Sequence, residues 1–404
     1  MQPGEGDGES DSMVRNGPSS LYNPRRGGMG GIQRSRGLVL LVVCVALVAF
    51  FVVPRMSGEG HGLRGGGRSA ADFSEEGPFV EDQWEILLIS DLDKNSKVDD
   101  KGKNYRSVLQ SGKLAKSPSS GEYSVEFGTK MDLFSGHNEA GRGMELSELI
   151  KYRGSLLSVD DRTGIVFEII DDGEGSRHVA PRYILPEGDG LLDKGMKLEW
   201  ATQKDGSLIV GSFGKEYTDD NGAVVNTNNN WVIFIDENGV TTRQDWTQQY
   251  NKMREVVGAS FPGYMIHESG AWSDTLQKWV FMPRRISSEG YDDMKDEKMG
   301  SNTILIVDED FRHVDVKHAG EVNPTHGFSS FKFVPGTGDK VVVALKSEEN
   351  DAEHTQNTFI MVFTLDGEVL LEETEIPGGL KFEGIEIFPI PESSKAAGEH
   401  GGNR

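Results

Sequence analysis

A single cysteine, Cys44, stands among 404 residues, and that scarcity excludes a disulfide framework and any zinc site built on thiolates. Basic residues are also in deficit, with 42 Lys and Arg against 65 Asp and Glu and a net charge of −23. A surface of that sign repels polyanions, which excludes nucleic acid as a partner, and it attracts metal cations. No Gly-x-x-x-x-Gly-Lys-Ser/Thr run occurs, so a P-loop is not the way this chain grips phosphate. Asn-x-Ser/Thr acceptors for N-glycosylation are missing too. Helical periodicity is scarce, and only Glu145–Lys151 and Trp246–Val256 read as short helices.

Long apolar runs are equally rare, with one exception. Residues 37–53, GLVLLVVCVALVAFFVV, carry no charge and end at Pro54, close to the roughly 17-residue minimum for a membrane-spanning helix. Five arginines precede this run and Arg55 follows it, so the positive-inside rule predicts a signal anchor with the N-terminus in the cytosol and the rest in the lumen. The expected order is a disordered cytosolic tail (1–36), the anchor (37–53), a flexible stem (54–83), a folded domain (84–389) and a disordered C-terminal tail (390–404). Only four acids lie before residue 54, so the negative charge belongs to the exported part.

Along residues 84–389, strand-like runs recur between turn signals: Glu85–Ser90, Ser155–Val159, Ile165–Ile170, Ser207–Ser212, Trp231–Ile235, Trp279–Met282, Thr303–Val307, Val341–Leu345, Phe359–Thr364 and Gly384–Phe388. No βαβ alternation accompanies them, which points to an all-β closed architecture: a propeller, a large barrel or paired sandwiches. A looser repeat decides among these. Oxygen-bearing residues open successive strand groups at Glu148, Glu199, Glu268, Ser329 and Glu383, with spacings of 51, 69, 61 and 54 residues. Each spacing is the length of a four-stranded blade, and five units predict a five-bladed propeller. In that fold the innermost strands line one axial channel, so these distant residues converge. Carboxylates gathered in a low-dielectric channel require a cation, and mixed carboxylate and hydroxyl oxygens suit calcium.

Several patterns imitate other sites. Asp91, Asp93, Asn95 and Asp99 begin like an EF-hand, but Ser96 stands where glycine is needed and Gly102 where a bidentate glutamate is needed. His313 and His318 lack further zinc partners, while His267 and His326 read as hydrogen-bonded neighbours of the proposed ligands and Trp272 as a core residue.

The segments GRGMELSELI, SVDDRTG, GYMIHESGAWSDTLQKWVFMPRR, PTHGFSSFKFVP, ALKSEE, FTLDG and KFEGIEIF closely resemble the calcium-activated nucleotidase, or apyrase, family over about residues 84–389. The resemblance implies a five-bladed propeller that hydrolyses nucleoside di- and triphosphates with one central Ca2+. By motif, it places the calcium ligands on Ser147, Glu148, Glu199, Glu268, Ser329 and Glu383. It places the substrate region on Asp91, Asp93, Asp160, Asp161, Arg162, Lys215, Glu216, Arg284 and Arg285. Because a nucleoside diphosphate brings about three negative charges, Arg162, Lys215, Arg284 and Arg285 are the groups to meet it, and Asp91 or Asp161 would take a proton from the attacking water.

Two function classes follow. One is calcium-dependent hydrolysis of substrates such as UDP and GDP in the Golgi or endoplasmic reticulum, by a type II protein held through its N-terminal helix or released by cleavage of the stem. The other is a non-catalytic propeller that binds a partner and whose axial Ca2+ is structural. Nothing in the sequence fixes an oligomeric state.

Overall fold

The computed structural model describes residues 78–98, 104–219, 222–350 and 355–392. The expected cytosolic tail, signal anchor, most of the stem and nearly all of the C-terminal tail lie outside these residues. Among the described residues no helix is long and apolar enough to cross a membrane.

Five four-stranded antiparallel sheets form the blades. The first comprises Leu146–Tyr152, Ser155–Asp160, Ile165–Asp171 and Arg177–Ile184, and the second Trp200–Lys204, Ser207–Gly211, Trp231–Ile235 and Thr241–Asp245. The third runs through Tyr264–Ser273, Lys278–Ser287, Thr303–Asp308 and Val314–His318, and the fourth through Gly327–Phe333, Val341–Asn350, Thr355–Thr364 and Val369–Glu375. The last blade joins both ends of the domain: Phe382–Pro391 is its innermost strand, followed outward by Phe79–Ser90, Tyr105–Lys116 and Tyr123–Ser135. The five-bladed expectation is met. The strands extend a few residues beyond 84 and 389 at either end.

Burial explains the closure. Five hydrophobic clusters occupy the five interfaces between neighbouring blades, as where Leu87 and Ile89 of the last blade pack on Leu146, Leu149 and Phe167 of the first. The inner strands of each sheet are thus apolar on both faces, while outermost strands such as Tyr123–Ser135 and Arg177–Ile184 stay largely open to solvent. The innermost strands approach closely: a Cβ on Gly384 would lie 2.6 Å from the backbone of Glu148 and Leu149, so only glycine fits there.

One expectation is corrected. Glu145–Lys151, read as a helix, contains the innermost strand Leu146–Tyr152. Its Glu and Leu residues are good helix formers, but nearly every one of its side chains is buried between neighbouring blades, and packing overrides that weak preference. The second short helix is present as Thr247–Val256, connecting the second and third blades.

Candidate active site

The innermost strands do not run in unbroken register. The first blade's ladder pairs Leu146 with Asp160 and Glu148 with Val159, passing over Ser147. Glu268 and Ser269 are passed over in the third blade, Ser329 in the fourth and Glu383 in the last. In the second, Glu199 sits immediately before its strand, with its N–H donated to Gly211 O at 2.9 Å. Such irregularities release a residue from the ladder and re-aim its side chain. They fall at or beside the positions of the sequence repeat in four of the five blades, because the axis of a propeller is where side chains of five sheets must share space.

At one end of the channel the strand ends and loops enclose a cavity of about 180 Å3. Glu199, Glu268, Glu383, Asp91, Asp93, Asp161, Arg284 and Arg285 all line it. Arg284 holds three acids: its Nη1 donates to Glu268 and, at 2.8 Å, to Glu383, and its Nη2 donates to Glu349 at 2.8 Å. Lys381 Nζ lies 2.8 Å from Asp91, 2.7 Å from Asp93, 2.9 Å from Glu349 and 3.5 Å from Glu383. Lys197 Nζ bridges Asp161 and Glu199, at 2.5 Å from each.

Burial sets the electrostatics. Desolvation pushes Glu199, Glu268 and Glu383 each up to about 7 against the pull of their cationic partners. Asp91 is pushed well above the usual carboxylate range by burial and then by Asp93. Glu349 moves the other way: burial opposes its charge, but Lys381 and Arg284 hold it below the ordinary value. The three cations themselves stay charged, since surrounding carboxylates overcome the cost of burying Lys197, Arg284 and Lys381.

The remaining expected residues lie outside the cavity lining. Ser147 and Ser329 are buried on the channel strands, where Ser147 donates to Glu145 O at 3.4 Å and Ser329 to Phe382 O at 3.2 Å. Glu148 Oε1 accepts Ser330 Oγ at 2.8 Å and pairs with Lys332 Nζ at 2.9 Å. Burial raises its carboxyl to about 7. Asp160 is an organiser: its carboxylate accepts the N–H groups of Met144 at 3.0 Å, Arg162 at 2.9 Å and Thr163 at 3.2 Å. Met144 is held at φ 59° by this contact, which fixes the entry to Glu145 and the turn bearing Asp161. Arg162 is half-buried beside that turn. Glu216 is taken by Arg254, whose Nη1 donates to its two oxygens at 2.8 and 2.9 Å. Lys215 Nζ lies 3.9 Å from the centre of the Tyr291 ring.

Sequence reasoning missed Lys197, Lys381 and Glu349. The first two had a signal: Lys-x-Glu recurs at 197–199 and 381–383, and alternate residues of an extended chain point to one side. Glu349 lies in ALKSEE, one of the segments that carry the resemblance, but no role is assigned to it there.

The donor set fits a hard cation. Asp91, Glu145 and Asp161 can present oxygens that all lie within 4.8 Å of one another, and Asp161 Oδ1 is buried without a hydrogen-bond partner. Oxygen-only donors of this kind select calcium or magnesium over softer metals.

The sequence model of the apyrase family matches residues 92–388. Among curated proteins, soluble calcium-activated nucleotidase 1 of Rattus norvegicus is 47% identical over 76% of this chain and 74% of its own length. The Mus musculus protein of the same name is 46% identical over the same shares. An apyrase of Cimex lectularius is 42% identical over 76% of this chain and 82% of its own. With nearly the whole propeller matched and the axial acids in place, the chain belongs to the apyrase family.

Proposed function

We propose that this nucleotide-hydrolysing enzyme releases inorganic phosphate from nucleoside di- and triphosphates, such as UDP and GDP, in a calcium-dependent reaction inside the secretory pathway. The observation that carries the reading is the cavity in which Glu199, Glu268 and Glu383 meet Arg284, Arg285 and Lys381 at the mouth of the channel. The relatives' names, which speak of calcium activation and apyrase, support it.

Glu199, Glu268 and Glu383, with Ser147, Glu148 and Ser329 around the channel, are the groups that would hold Ca2+. That ion supplies charge neutralisation for phosphate oxygens. Arg284 and Arg285 orient the phosphate chain, their planar donors matching its oxygens. Glu268, Glu349 and Glu383 keep Arg284 in place before substrate arrives, so little reorganisation accompanies the reaction. Asp91 or Asp161 accepts the proton of the attacking water. The expected signal anchor at residues 37–53 would place this cavity in the lumen.

Phosphate release from UDP, measured with Ca2+, with Mg2+ and with chelator, tests the reading. Activity confined to calcium is the expected result. No release under any ion would leave the non-catalytic binding propeller.

A further inference from the structure

We propose a second divalent-cation site, formed by Asp91, Glu145 and Asp161 at the mouth of the channel, above the ring of Glu199, Glu268 and Glu383. The inference rests on the reading of that ring as the first site. Three observations carry it.

The first is geometry. The three side chains come from different parts of the fold: Asp91 follows the strand Phe79–Ser90, Glu145 precedes the innermost strand of the first blade, and Asp161 follows Asp160. They nevertheless offer oxygens within 4.8 Å of one another. Two oxygens bound to one calcium at 2.3–2.6 Å are at most about 5 Å apart, so this spacing suits calcium without rearrangement of the backbone.

The second is an unsatisfied atom. The Asp161 side chain is only 10% exposed. Its Oδ2 is paired with Lys197 at 2.5 Å, whereas Oδ1 is closed off from solvent with no hydrogen-bond partner. A buried carboxylate oxygen without a donor is costly unless a cation completes it. Asp91 already receives the Asp93 N–H at 2.7 Å and Lys381 at 2.8 Å. Glu145 lies in the fork of Arg142, at 2.8 Å from Nε and 2.5 Å from Nη2. Each carboxylate oxygen has more than one lone pair, so these contacts and a cation coexist.

The third is charge. Nine carboxylates and four cationic side chains line the cavity, and the Arg142–Glu145 pair at its edge is neutral. One divalent ion leaves this cavity negative, and a nucleoside diphosphate adds about three more negative charges. A second divalent ion brings the balance within reach of an anionic substrate. Lys197 stands between Asp161 and Glu199, and Lys381 between Asp91 and Glu383. The two acid groups are thus linked through shared lysines, so a charge placed on one is felt by the other.

Equilibrium dialysis of the chelator-stripped full chain against radioactive calcium counts the ions directly, independently of activity. Two equivalents are expected, falling to one in Glu145→Gln and to one in Asp161→Asn, and Glu383→Gln likewise leaves one. Using two variants of the cluster guards against misfolding of either, with circular dichroism as the check. One equivalent that survives Glu145→Gln and Asp161→Asn but is lost in Glu383→Gln overturns the second site and leaves Asp161 Oδ1 for proton transfer. Two equivalents undiminished by both cluster variants also overturn it. One equivalent lost in Glu145→Gln but retained in Glu383→Gln upholds the cluster and defeats the axial ring.

Discussion

Two buried meetings of acid and guanidinium lie in this propeller, and they are built on opposite principles. At the end of the helix Thr247–Val256, Arg254 pairs with the single acid Glu216 and gives its other donors to Ala259 O at 3.2 Å and Gly263 O at 2.5 Å. Donors and charges are matched there, and the group is closed. In the channel mouth, Arg284 alone is shared by Glu268, Glu349 and Glu383, and Lys381 by four acids. Both arrangements are desolvated, yet only the second has an excess of one sign. The stoichiometry of charge, more than burial or the presence of ion pairs, separates a structural clamp from a site that awaits a cation and an anion.

The comparison is tested most severely by Glu383→Ala. Loss of this acid is expected to reduce phosphate release by about 10³-fold and to lower the thermal transition in calcium, because one side chain serves both stability and chemistry. Wild-type turnover would remove Glu383 from the site.

Arg254→Met should produce the largest purely structural effect. It strands the Glu216 carboxylate among buried groups and is expected to cost about 3–5 kcal/mol by chemical denaturation. The calcium concentration for half-maximal activity should stay unchanged at temperatures where the variant is folded. A shifted calcium dependence would mean that the clamp and the site are coupled.

Arg284→Ala is expected to impair substrate use, lowering kcat/KM by about 10²-fold, while calcium binding measured by dialysis persists. Loss of calcium binding would show that Arg284 supports the ring instead of the phosphate.

The smallest expected effect is a pH slope. Glu199, Glu268 and Glu383 are raised from 4.5 to about 7 in the folded protein. Between those values the folded state binds more protons than the unfolded one, so in chelator the stabilising contribution is complete below pH 4.5 and lost as pH rises through 7. Calcium favours the ionised form and should flatten this decline. A melting temperature that climbs from pH 5 to 7.5 in chelator would contradict it.

How much of this was legible in the sequence differs between the inside and the outside of each blade. The apolar middle strands announced themselves, as at Thr303–Asp308 and Val341–Asn350. Outermost strands such as Arg177–Ile184 and Thr241–Asp245 did not, because they are largely solvent-facing and carry little hydrophobic periodicity. The axial acids were legible through their apolar surroundings and spacing. Some of their partners were not: the pairings of Glu148 with Lys332 and of Glu268 with Arg284 are marked by no local pattern, unlike the Lys-x-Glu pairs at Glu199 and Glu383.

The sequence by itself determined the five-fold repeat, the all-β class and the positions at which polar oxygens interrupt an apolar strand, since these follow from composition and period along one dimension. Only the tertiary structure decided which carboxylates share a cation. Lys381 joins Asp91 to Glu383 and Lys197 joins Asp161 to Glu199, and in each case the ring closure of the blades, by bringing strand ends together at one axis, turns sequence separation into contact. Coulomb interaction falls with distance in space and takes no account of distance along the chain.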